Sequence, residues 1–341
     1  MMWPSPSYAV CWDSLKPLRT ASSMRVPFLR APLLPALLVV LGACWGCGSP
    51  PVQNGPPSVV WSDVSEALGL PEGIQVFEGQ DENAPLKAWM ARVDVHTPGI
   101  DVQVVSSDDD DGRESVSDMV RDAGACLGVN GGYFLQNDSG FEHIGLLIAD
   151  GTFVNPATPG VYVDGVRYQV RRSALGLDAA NTPRIGWVSG TEDASMWWTK
   201  PIDNSAGAPV DTVDMDGGVF WDARDAVAAG PLLVLDGSKQ VAADEEVFFH
   251  TTIPNVHPRT AAGIDEEGRL LLLVVDGRQQ SSRGVDLDEL ADLMLDFGAT
   301  AALNMDGGGS STMIVRDALI NRPAGATYQR EVVSGIIVSC P

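Results

Sequence analysis

Short apolar stretches bounded by turn residues recur along this chain, and only two places show the 3.6-residue spacing of a helix. Residues 89–95 and 100–106 read as strands, with Thr97-Pro98-Gly99 as the turn between them. Residues 126–129, 143–149, 160–170 and 270–275 read as further strands, with Asp150-Gly151 and Asp164-Gly165 as hairpin turns. One helix is predicted over 115–123. Ser115 caps it, Asp118 follows three residues on, and Val116, Met119, Val120 and Ala123 form its apolar face. The second begins after Asp286, with Glu289 three residues on, carries Leu287, Leu290, Leu293, Met294 and Phe297 on one stripe, and stops at Gly298. Residues 300–303 then form another strand. A strand, helix and strand in that order make a crossover unit, so Asp276 and Asp306 are expected at one edge of one sheet. The expectation is an α/β (α+β) fold, with a mixed β-sheet core flanked by helices in a single domain. Residues 180–230 hold Trp187, Trp197, Trp198 and Trp221 at irregular spacing and read as long loops. Those loops suit either the wall of a binding cleft or a small satellite core.

Glycine placement brings in candidate chemistry. The run 302–313 sets Asp306 between an apolar strand and Gly307-Gly308-Gly309, followed by Ser310 and Ser311. Three consecutive glycines suit sharply turning backbone or a closely approaching ligand, and their amides can form a nest for an anion beside the carboxylate. Asn130-Gly131-Gly132-Tyr133-Phe134 repeats the pattern, and its aromatic pair suits either a sugar face or a covered turn. His257-Pro258-Arg259-Thr260 precedes small residues, and Asp276-Gly277-Arg278 presents a carboxylate, a glycine and a guanidinium together. Asp214-Met215-Asp216-Gly217-Gly218 echoes these sites without the further matches that an internal repeat needs. Asp108 to Asp111 is a solvated acidic loop without calcium-loop spacing, and the four histidines, His96, His143, His250 and His257, show no metal or triad spacing. No metal and no cofactor is expected.

Charge and cysteines then narrow the setting. A net charge of −23 over 341 residues disfavours nucleic acid as a partner, and it requires a local cluster of Arg, His and backbone amides wherever an anion is handled. Arg25 and Arg30, close after Met24, precede an apolar run, 33–41, which ends in Leu41-Gly42-Ala43-Cys44. This reads as a signal peptide, and its ending resembles a bacterial lipobox that implies lipidation of Cys44. The organisation expected is a leader and signal peptide over 1–43, a Pro/Gly-rich tether over 44–58 and one domain over 59–341. The protein would be exported and anchored in the cell envelope, touching the membrane only through its N-terminal lipid. Cys126 and Cys340 lie at strand ends in a compartment that permits disulfides, and a pair or a buried free thiol fits equally.

Four motifs in order carry a resemblance over about 90–340. Asn130-Gly131-Gly132-Tyr133-Phe134, Pro258-Arg259-Thr260-Ala261, Asp276-Gly277-Arg278 with Ser282 and Gly284, and the 304–312 run together resemble the phosphodiester glycosidase family. That resemblance implies hydrolysis of a sugar-1-phosphodiester, of the N-acetylglucosamine-1-phosphodiester kind, to free sugar and a phosphomonoester. Its partner would be a sugar-phosphate or a phosphorylated polysaccharide. It also implies that Asn130, Arg259, Asp276 and Asp306 line the active site. The sequence departs from family members that carry Asn before Pro-Arg-Thr, since His257 stands there. A departing phosphate needs little general-acid help, so glycine amides with Arg259 or Arg278 would stabilise it while Asp306 first, or Asp276 second, acts at the sugar. Arg259 joins those two carboxylates as a catalytic candidate. Asn130, Gly132, Tyr133, His257, Thr260, Gly277, Arg278, Gly307, Gly308, Gly309, Ser310 and Ser311 are candidates for substrate binding. Two non-hydrolytic alternatives stand beside this: a surface lipoprotein that binds envelope polysaccharide through its Trp-rich segment, and a calcium-stabilised scaffold.

Overall fold

The computed structural model describes residues 57–341 apart from 82, 139, 192, 193, 214 and 215. The leader, Cys44 and the tether as far as residue 56 lie outside the described residues, as do Asp214 and Met215. An eight-stranded antiparallel sheet runs in the order Val60–Asp63, Ile74–Asp81, Leu86–Val93, Leu270–Val275, Arg259–Asp265, Ala299–Asn304, Leu232–Leu235 and Ser238–Lys239. Its Leu270–Val275 strand is buried at every position. Leu270, Leu272 and Val274 face the interior shared with the other sheets, while Leu271, Leu273 and Val275 face the helix α2, Leu287–Asp296. A strand covered on both faces reads as an unbroken apolar run, and LLLLVV is one.

A five-stranded sheet places Ser334–Ser339 between Leu127–Asn130 and Asp101–Ser106, and Met313–Val315 continues from Leu127–Asn130. Helix α1, Val116–Asp122, closes its outer face through Val116, Met119 and Val120 against Ile314 and Ile337. Gly128 makes that approach possible, because a Cβ there would lie 2.4 Å from a Val120 methyl. The disulfide Cys126–Cys340, with Cα atoms 5.8 Å apart, ties the end of the final strand to the start of Leu127–Asn130. The third large sheet holds seven strands, from Val219–Phe220 through Ser195–Trp198, Pro183–Gly190, Arg172–Leu177 and Asp225–Ala228 to Leu147–Ala149 and Thr152–Asn155.

Two expectations are corrected here. The fold is mostly β, with 43% strand and 8% helix, and is not a sheet core flanked by helices. The two helices form where their caps and stripes put them, including the Asp286–Glu289 capping box. The crossover through α2 also exists, but Leu270–Val275 and Ala299–Asn304 are separated by Arg259–Asp265, which pairs antiparallel with both. Generalising from that one unit overstated the helical share, since the paired strands of all three large sheets are antiparallel. Residues 180–230 were also expected to be loops. They contain the strands Pro183–Gly190, Ser195–Trp198, Val219–Phe220 and Asp225–Ala228, and their tryptophans fill cores. Trp187 and Trp198 are buried in the main interior, and Trp221 packs with Leu146, Ile148 and Ala226.

Candidate active site

Ends of two sheets meet at one place. Arg259 opens its strand at the same edge where Leu270–Val275 delivers Asp276 and Ala299–Asn304 delivers Asp306, because the outer two strands run opposite to the middle one. Asn130, the last residue of Leu127–Asn130 in the five-stranded sheet, joins this edge directly. Its Nδ2 donates to the Asp306 carbonyl at 2.7 Å, and its Oδ1 accepts from Thr260 Oγ1 at 2.7 Å and from the Thr312 amide at 3.2 Å. Asn130 and Thr260 are fully buried, so both act as fasteners between sheets. The Asp306 amide donates to the Gly131 carbonyl across the same seam.

The carboxyl group of Asp306 sits above this seam. Burial pushes its pKa up to about 6, although Arg330 and the Gly307 amide favour the ionised form. Two guanidinium groups cover the glycine turn that follows. A Cβ on Gly308 would lie 3.4 Å from Arg278 Nη2, and one on Gly309 only 2.7 Å from Arg330 Nη2. At Gly309 a side chain would push the Arg330 guanidinium away, whereas at Gly308 it is the backbone, with φ +66°, that favours glycine. Arg278 itself adopts φ +57°, an uncommon conformation for a long side chain. It donates to His257 Nδ1 at 3.2 Å, and His257 Nε2 donates to the Thr252 carbonyl, so the neutral imidazole orients the guanidinium. Burial and then the nearby arginines lower the pKa of His257. The hydroxyls of Ser311 and Thr312 are buried without a hydrogen-bond partner.

Other candidates occupy supporting positions. Arg259 is 2% exposed. Its Nε donates to the Val285 carbonyl, Nη1 to Asn304 Oδ1, and Nη2 to the carbonyls of Ile253 and Asn255. That engages four of its five N–H groups, and burial lowers its pKa to about 10. Asn304 Nδ2 in turn meets Tyr133 Oη at 2.8 Å and the Gly230 carbonyl at 2.9 Å, while Tyr133 Oη donates to that same carbonyl. Burial raises the Tyr133 pKa. Asp276 is 1% exposed, and its Oδ1 accepts from Asn321 Nδ2 at 3.1 Å and from the Arg322 amide at 2.9 Å. It thereby pins the start of the segment that carries Arg330, and burial raises its pKa. Gly132 donates its amide to Ser334 Oγ and packs its Cα against His143. Gly277 lets residue 258 pass at backbone contact, with a Cβ there only 2.7 Å from the Pro258 nitrogen. Arg330 escaped the sequence reading because it lies in a polar coil with no glycine or carboxylate motif around it.

Comparisons with known proteins identify the family. A family model described as phosphodiester glycosidase matches residues 123–339, well over half of the chain. The chain belongs to the phosphodiester glycosidase family. Among its relatives, the N-acetylglucosamine-1-phosphodiester alpha-N-acetylglucosaminidase of Bos taurus is 28% identical over 216 residues, which is 62% of this chain and 35% of that protein. The chain thus spans about a third of that relative's length. An uncharacterized protein from the SPbeta prophage of Bacillus subtilis is 33% identical over 129 residues, 38% of this chain and 19% of that one. The catalytic domain of the zebrafish N-acetylglucosamine-1-phosphodiester alpha-N-acetylglucosaminidase, solved as auto-inhibited by its pro-peptide, superposes with a TM-score of 0.55 at 19% identity. That match covers 85% of each chain and shows a shared fold. A protein of Synechocystis shares the fold as well, with a TM-score of 0.55 at 16% identity over 84% of this chain and 64% of that one.

Proposed function

We propose that this chain hydrolyses a sugar-1-phosphodiester to free sugar and a phosphomonoester, in the manner of an exported glycosidase. The observation that carries the reading is Asp306, a carboxyl group poised near neutrality beside a glycine turn that two guanidinium groups cover. A diester phosphate laid against that turn places its negative charge beside Arg278 and Arg330, and its sugar carbon beside Asp306. Water attacks the anomeric carbon with Asp306 taking its proton, and the C–O bond breaks toward the phosphate, which leaves as a monoester. Arg259, Asn304 and Tyr133 hold the floor of the site in register through one shared hydrogen-bond network. Asn130 and Asp276 keep the two sheets and the Arg330 segment in place.

The Cys126–Cys340 disulfide supports an exported, oxidising location, and the lipobox-like ending at Cys44 supports anchoring in a bacterial envelope. The test is hydrolysis of an N-acetylglucosamine-1-phosphodiester in ¹⁸O-labelled water. Label in the released sugar is the expected result. Label in the phosphate would mean cleavage at phosphorus, and no release at all would leave a polysaccharide-binding lipoprotein as the better account.

A further inference from the structure

Arg172 is a further guanidinium, and it lies on the Tyr133 side of the site, on a different element from those that carry Arg278 and Arg330. It opens the strand Arg172–Leu177, and its guanidinium carbon lies 3.9 Å from the centre of the Phe248 ring. Phe248 packs against Tyr133 with ring centres 5.9 Å apart. Tyr133 is the hub here: it feels the charges of Asp306, Arg259 and Arg172, and its hydroxyl donates to Gly230. Arg172 thus reaches the site through Tyr133 and Phe248 rather than through the glycine turn.

Its own interactions are incomplete. Nε is buried without a hydrogen-bond partner, and among the described residues no carboxylate forms a salt bridge with it. Glu246 is the carboxylate that acts on it most, yet Glu246 is already occupied. Its two oxygens accept from the Ser173 amide at 3.0 Å, Ser173 Oγ at 3.1 Å, Trp187 Nε1 at 2.9 Å and the Leu232 amide at 2.8 Å. A half-buried cation whose Nε lacks a partner, set behind the Tyr133 that joins the Asn304 and Arg259 network, and with its nearby carboxylate engaged elsewhere, is matched by an anion that arrives with the substrate.

Resting on the hydrolase reading, we propose that Arg172 is a specificity residue that binds a second negative group, a carboxylate or a phosphate, carried by the sugar unit of the substrate. The phosphodiester occupies the glycine turn, so this group is separate from the bond that breaks. The experiment uses three 1-phosphodiesters with one aglycone, whose sugars are glucose, glucuronic acid and glucose 6-phosphate. The wild-type chain should show a higher kcat/KM on at least one acidic sugar than on glucose, and the preferred arm identifies the group. Arg172→Met should lose about 10- to 100-fold on that substrate, as expected for a lost charged hydrogen bond, and less than about twofold on the glucose compound. Arg172→Lys should recover part of the loss. An equal loss on all three would place Arg172 on the common phosphodiester and overturn the proposal, as would a wild-type preference for glucose. If none is cleaved, the hydrolase reading fails by itself. The Arg172 site is then judged by the melting-temperature shift that free glucuronic acid or glucose 6-phosphate produces in wild type but not in Arg172→Met, and the absence of any such shift overturns it.

Discussion

Asp306→Asn should stabilise the protein while abolishing its turnover, and the two effects have one cause. Moving this carboxyl group from the ordinary 3.8 to about 6 means that its ionised form is disfavoured in the fold by about 3 kcal/mol. Asparagine mimics the neutral acid at every pH. Below about pH 4 folded and unfolded wild type are both protonated at this position, and the variant gains nothing. Between about 4 and 6 the unfolded chain ionises first and the folded chain lags, so wild-type stability falls by about 1.4 kcal/mol per pH unit. Above about 6 the difference levels off near 3 kcal/mol. For a folded unit of roughly 280 residues, an unfolding entropy of about 2.1 cal/mol/K per residue converts this to a Tm gain of about 5 °C. The activity should fall by about 10²-fold or more, since the replacement cannot take a proton. Wild-type kcat/KM should rise tenfold per pH unit up to about 6 and then flatten. Thermal melts at pH 4 and pH 8, paired with a sugar-release assay from pH 4.5 to 8, measure both. A variant that melts lower at pH 8, or one that keeps a tenth of the activity, refutes the reasoning.

Arg330→Met should lower kcat/KM on a sugar-1-phosphodiester by about 10- to 100-fold and on an uncharged aryl glycoside by much less, because the lost contact is to the phosphate while the loss of its support for ionised Asp306 is common to both. Equal losses on both would remove Arg330 from that role. Replacing Cys126 and Cys340 together by Ser opens a link across 214 residues, whose chain-entropy value is about 5 kcal/mol at most and 2–4 kcal/mol typically. The melt should drop by roughly 3–8 °C, and an unchanged Tm would show that the final strand holds without it. His143 is buried between Ser334 Oγ and the Ala228 carbonyl, and burial lowers its pKa to about 4. The stability that it contributes is present above about 6.5 and is lost as pH falls toward 4, by about 2 kcal/mol at pH 5. Urea unfolding at pH 7 and pH 5 should show that slope in wild type and its absence in His143→Asn.

Local chemistry wrote the most legible parts of this sequence. Ser115 with Asp118, and Asp286 with Glu289, announce their helices because a cap and its partner lie within one turn. Asp276 and Asp306 were legible as neighbours because apolar strands end immediately before them. Their shared edge followed from one crossover, but the mostly antiparallel architecture around it did not, since strand pairing joins segments that are far apart in sequence. Ser334–Ser339 lies against Asp101–Ser106, for example, and no pattern in either names the other. The strands between 180 and 230 were hidden because glycines and prolines interrupt them and their tryptophans follow no single period. Arg330 and Arg172 were invisible for a related reason: neither stands in one of the glycine motifs, so each acquires meaning only from what other segments bring beside it.

The position of the last strand sets when this molecule can work. Ser334–Ser339 is the middle rung between two segments made some two hundred residues earlier, and it supplies the carbonyl that holds Gly131 beside Asp306. Residues 334–339 must be in place before that gap can close. Deleting residues 334–341 should therefore leave every proposed reactive group present but unassembled, because among the described residues no other strand bridges those two earlier segments.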